Sequence, residues 1–74
     1  MAYFSNVTVK QTYASPHSKN AWLYLDSIGW RKISQDSTDG VTNTFIMGND
    51  ALVSNRTVSG STDSNNQIEY LYLN

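Results

Sequence analysis

Asp39–Gly60, DGVTNTFIMGNDALVSNRTVSG, is the stretch whose reading decides the fold. It is the longest candidate for a single element, and strand-like sequence flanks it on both sides. Read as a helix, it takes Asp39 as N-cap, and Gly40 bends the chain just inside it. Val41, Phe45 and Leu52 then recur with Gly48 on the same line, and Ile46 and Val53 lie beside that stripe. Such helical spacings put the apolar groups on one face. The opposite face carries Asn43, Met47, Asp50 and Ser54, and Asn55 supplies a left-handed stop. The competing reading is a hairpin, with VTNTFIM as one strand, GN as the turn and ALVSNRTV as the return. Propensity speaks for the hairpin, because Val, Thr, Asn and Phe are weak helix formers and Gly48-Asn49-Asp50 is weaker still. Periodicity speaks for the helix, and packing must then hold it.

Outward from this stretch the chain alternates. Residues 3–13 read as a first strand, with Val7, Val9 and Tyr13 on one face and Thr8, Lys10 and Thr12 on the other. Residues 14–20 form a loop around the only proline. Residues 21–26 are a second strand, with Leu23 and Leu25 on one face and Trp22, Tyr24 and Asp26 on the other. Both faces are bulky, so both are expected to be covered in part. Asp26-Ser27-Ile28-Gly29 is turn chemistry, and residues 29–34 complete a hairpin. After the central element come a strand at 56–61, a polar turn and a closing strand at 67–74. The order is β-β-β-α-β-β in a single domain, 1–74, mainly β with one helix. That order predicts a small OB-fold-like five-stranded barrel.

A chain of 74 residues buries only about 60% of its unfolded surface. Domains of this size usually need a staple. There is no cysteine, so no disulfide, and one histidine, so no structural zinc. Elimination leaves oligomerisation. Charged residues are 15%, against about 25% in an average domain. Ser, Thr, Asn and Gln fill the gap with 28 positions, beside two Trp, five Tyr and two Phe. Hydroxyls, amides and aromatic rings are the groups that bind sugars, by hydrogen bonds to hydroxyls and by covering apolar ring faces. The same aromatics serve equally well as a core. The net charge of −1 does not make the basic footprint that nucleic acid requires. No apolar run is long enough to span a bilayer, and MAYFSNVTVK has neither the basic nor the apolar region of a signal peptide.

Trp22, Tyr24 and Asp26 share a strand face, and a Trp beside a carboxylate is a sugar platform or, alternatively, core or interface. Trp30 with Arg31 is a second candidate, and Tyr13 can line a groove with the loop 14–20. Asp36, Thr38, Asp39 and Gly40 lack the further acids and the closing Glu of a calcium loop, so they read as loop and helix cap. The stretch Asp63–Asn66 reads as a turn. Asn6-Val7-Thr8 and Asn55-Arg56-Thr57 match the glycosylation sequon by composition alone. His17 stands in a loop without a nucleophile context, and the carboxylates are scattered over turns, so no catalytic site, metal or cofactor is expected.

The run TNTFIMGNDALVSN, RTVSGS, TDSNNQ and IEYLYLN resembles the C-terminal half of the receptor-binding B subunits of pentameric bacterial toxins, of the Shiga and cholera type. VTVKQTY and AWLYLDSIGWRKI resemble their opening strands. The likeness covers nearly the whole chain in layout and size and rests on no diagnostic motif. Those subunits usually carry a disulfide, which this chain lacks. The resemblance implies a secreted, non-catalytic, lectin-like subunit in a homopentameric ring. Its partners would be a cell-surface glycan, further copies of itself and an enzymatic A-type subunit, without membrane insertion. It also implies that the helices line a central pore through Asn43, Met47, Asp50 and Ser54, where acid would relieve the repulsion of five Asp50 carboxylates. The alternative is an oligomeric structural or protein-interaction module that binds no sugar.

Overall fold

The computed structural model describes residues 2–16, 19–34 and 38–74. Five strands and one helix follow in the order β1 (Ala2–Ala14), β2 (Ala21–Leu25), β3 (Gly29–Lys32), α1 (Thr38–Ser54), β4 (Thr57–Thr62) and β5 (Ile68–Leu73). The central stretch is therefore helical, and the hairpin reading is excluded. Asn55 ends the helix with φ of 59°, the left-handed stop its amide side chain tolerates. The helix begins at Thr38, so Asp39 sits in its first turn rather than at the cap.

The strands form one antiparallel sheet in the spatial order β3-β2-β1-β4-β5, which differs from their order along the chain. The closed barrel expected from the sequence is not formed. Among the described residues, the two ends of the sheet meet at a parallel bridge between Ile33 and Ile68, where the Ser34 N–H donates to the Ile68 carbonyl at 2.8 Å. The third strand ends at Lys32, two residues short of the expected Ser34, although Ile33 still donates its N–H to the Ala21 carbonyl at 3.0 Å as it bridges to Ile68.

β1 organises the sheet because it is long enough to serve two neighbours. Its first half pairs with β4 and its second half with β2. The register slips twice, between Phe4 and Val7 and between Val9 and Gln11. At the first slip Asn6 takes φ of 54° and its N–H donates to Ser59 Oγ at 3.1 Å. A bulge inserts a residue and turns every following side chain to the other face. Val9 thus points into the core, whereas Tyr13 pairs with Trp22 on the outside and Thr12 pairs with the buried Leu23. Plain alternation put Tyr13 with Val7 and Val9, and the second bulge overturns that.

The core is one cluster: Phe4, Val9, Ala21, Leu23, Leu25, Ile33, Val58 and Ile68 from the sheet side, with Val41 and Ala51 from the helix. Each fully buried Leu, Ile or Val contributes about 1.5–3 kcal/mol. Gly48 lets the helix come close, since a Cβ there would stand 2.5 Å from Leu23 Cδ2. The helix lies on the stripe Val41, Gly48 and Ala51, with Phe45 partly buried. The expected stripe is corrected at three positions. Leu52, Ile46 and Val53 are exposed, the last two at 54% and 87%, because close seating at Gly48 rotates Ala51 inward in their place.

Candidate functional site

The outer face of β1, β2 and β3 carries the aromatics that sequence pattern singled out. Cross-strand register sets Tyr13 opposite Trp22, Trp22 opposite Lys32 and Tyr24 opposite Trp30. Directly opposed side chains lie close enough to touch. Tyr24 and Trp30 meet edge to face, with ring centres 5.3 Å apart and planes at 86°. The Lys32 ammonium lies 5.9 Å from the Trp22 ring centre, within cation–π range. The hairpin that holds this register closes through Ser27 and Gly29 at φ of 69° and 99°, with the Ile28 N–H donating to the Leu25 carbonyl.

Two open grooves border these rings. Tyr13, Asn20, Trp22 and Trp30 line one of about 520 Å³. Trp22, Trp30, Arg31, Lys32 and Asn65–Gln67 line the other, of about 280 Å³. Trp22 and Trp30 belong to both. The Trp22 ring is anchored, because its Nε1–H donates to Asn20 Oδ1 at 3.0 Å while Asn20 Nδ2 donates to Ser15 Oγ at 2.6 Å. Arg31 is held along β3, with Nη1 donating to the Trp30 carbonyl at 2.8 Å.

The amide wall of the smaller groove comes from the turn between β4 and β5. Asp63 Oδ1 accepts from the Asn65 N–H at 2.9 Å and the Gln67 N–H at 3.0 Å, an Asx turn that Asn66 completes at φ of 60°. The turn read at 63–66 thus exists, and the tertiary fold brings it beside the tryptophans.

Of the candidate glycan-binding residues, Tyr13, Trp22, Trp30 and Arg31 are brought together. Tyr24 lies against Trp30 and lines neither groove. Asp26 lies in the exposed β2–β3 turn, its N–H donating to the Thr8 carbonyl, and lines neither groove. Asn20 enters as the end of the loop expected beside Tyr13, whereas Lys32 and Asn65–Gln67 were not anticipated. Alternation offered Lys32, two residues beyond Trp30 on the same strand. Nothing in the pattern offered Asn65–Gln67, which reach the site only through packing.

On the helix, Asn43, Asp50 and Ser54 are exposed and Met47 is half-buried. Ser54 Oγ–H donates back to the Asp50 carbonyl at 2.6 Å. His17 and Asp36 lie outside the described residues. Among the described residues, no three metal-ligating side chains gather, and no helix is long and apolar enough to cross a membrane. No family model, curated protein or solved structure matches this chain.

Proposed function

We propose that this protein is a non-catalytic glycan-binding subunit that works as a self-assembled ring. The observation that carries the reading is the pair of grooves sharing Trp22 and Trp30. The Trp22 indole is anchored on Asn20, the Trp30 ring packs on Tyr24, and amides of Asn20 and Asn65–Gln67 line the grooves. Stacking covers the apolar face of a sugar ring, and the amides donate to and accept from its hydroxyls. Such open sites bind weakly one at a time, and several on one ring act together.

The ring rests on further grounds. The chain has no disulfide to support a small core, and the helix exposes Ile46 and Val53 to a neighbour. The element order and the single Ile33–Ile68 bridge support an OB-fold-like reading of the sheet as an incompletely closed barrel. The layout likeness to toxin B subunits adds the pentamer, an enzymatic partner docked on the helix face and a place outside a bacterial cell. A second reading, a protein-interaction module, is favoured by the exposed Tyr3, Tyr70 and Tyr72.

Native mass and a glycan array test the proposal. Five 8.3 kDa chains give about 41.5 kDa, and that mass is expected, together with sugar binding that Trp22→Ala weakens strongly. A lasting 8.3 kDa monomer overturns the ring. An array without hits on the assembled protein overturns the glycan reading in favour of a protein partner.

A further inference from the structure

We infer that the smaller groove selects sugars that bear a carboxylate, such as sialic or uronic acids. This rests on the glycan-binding reading of the same site and names its substrate class.

The inference starts from the chemistry of the lining. Arg31 and Lys32, two of the five basic residues of the chain, border the 280 Å³ groove with Trp22 and Trp30. Among the described residues, no carboxylate lines it or its larger neighbour. The described acids are engaged or elsewhere. Asp63 directs Oδ1 at its own turn, Glu69 accepts from Ser61 Oγ at 3.0 Å, Asp26 lies in the β2–β3 turn, and Asp39 and Asp50 belong to the helix.

Guanidinium and ammonium groups only donate hydrogen bonds. A neutral sugar asks its site for acceptors as well as donors, and among the described lining side chains the oxygen acceptors are the amides of Asn65, Asn66 and Gln67. A ligand carboxylate has two acceptor oxygens and a negative charge, so it matches what Arg31 and Lys32 offer. Both cations are half-buried, so their attraction for an anion is less screened than at the open surface. Lys32 stands opposite Trp22 in the β2–β3 register, which sets a carboxylate partner beside a stacking ring. In an acidic sugar, the charge likewise sits beside the ring.

The experiment is a titration of the whole chain with matched sugars: sialyllactose against lactose, and glucuronic acid against glucose. The acidic member of at least one pair is expected to bind roughly tenfold tighter, the scale of a charge-assisted hydrogen bond. The pair that shows the preference identifies the source. In about 0.5 M salt, where the screening length is about 4 Å, the advantage is expected to shrink. Lys32→Gln is expected to abolish it and Lys32→Arg to keep it, both with unchanged circular dichroism. Equal binding within both pairs, or a preference that survives in Lys32→Gln, overturns the inference and leaves glycan binding standing. Failure of every sugar, neutral or acidic, overturns glycan binding itself.

Discussion

On the outer face of β1, β2 and β3, Tyr13, Trp22 and Trp30 border open grooves. On the outer face of β1, β4 and β5, Tyr3, Tyr70 and Tyr72 lie against one another instead. The Tyr70 and Tyr72 rings stack at 6.3 Å with planes 6° apart, and the Tyr3 and Tyr72 hydroxyls share a hydrogen bond at 2.7 Å. Their cross-strand neighbours on β4 are Ser59 and Ser61, which are buried. Small residues on the middle strand let tyrosines from both sides close over it. Around Trp22 the cross-strand neighbours are Tyr13 and Lys32, and those large side chains leave hollows between them. Aromatic count alone therefore does not mark a site. What marks it is polar groups that remain turned toward a hollow.

The largest expected effect falls on both faces at once. Leu23 is fully buried beneath the sheet and touches the helix at Gly48. Leu23→Ala is expected to cost about 2–5 kcal/mol in a urea melt. A core of this size supplies about 3–5 kcal/mol, so most of the chain should unfold and both faces should be lost together. Retention of either face in that variant would mean the two have separate supports.

Next comes a substitution that separates the faces. Trp22→Ala is expected to weaken sugar binding by roughly thirtyfold, the scale of an aromatic anchor. Tyr72→Ala, on the other face, should change binding by less than about twofold. If Tyr72→Ala weakens binding as much as Trp22→Ala, the tyrosine face belongs to the site and the two faces do not differ in role.

The smallest effect lies within the tyrosine face. The hydrogen bond to Tyr3 raises the Tyr72 phenol above its usual value, with lesser help from desolvation and from the Tyr3 and Tyr70 charges. A raised phenol means that the fold favours the protonated form. Its contribution is complete below the unfolded value near 10.0 and is lost as pH rises through the folded value. Tyr3→Phe removes the leading cause, so ultraviolet titration should show Tyr72 ionising at a lower pH than in the parent. An unchanged titration would mean that the hydroxyl pair does not persist in solution.

Much of the fold was legible. Leu23 and Leu25 alternate with Trp22 and Tyr24, and the structure keeps that division between core and outer face. The turns at Asp26–Gly29 and Asp63–Asn66 were readable because their residues carry the required backbone chemistry. The helix was readable by period but not by rotation. Leu52 is the more apolar residue, yet Ala51 is buried, on the side of the helix that Gly48 brings against Leu23. For the candidate site, the two tryptophans were legible as large side chains on strand faces, whereas the partners from the 63–67 turn were not.

By itself, the sequence determined the element order, the inward and outward faces of β2, the turn positions and the absence of any disulfide, because each depends on one residue and its near neighbours. Only the tertiary structure decided three further things: that Tyr13 shares a face with Trp22, that the sheet stays open beyond the Ile33–Ile68 bridge, and that Asn65–Gln67 wall the groove. These depend on register between strands far apart in the chain. One inserted residue in β1 turns all that follow it, and only the energy of the whole packed sheet chooses where that insertion falls.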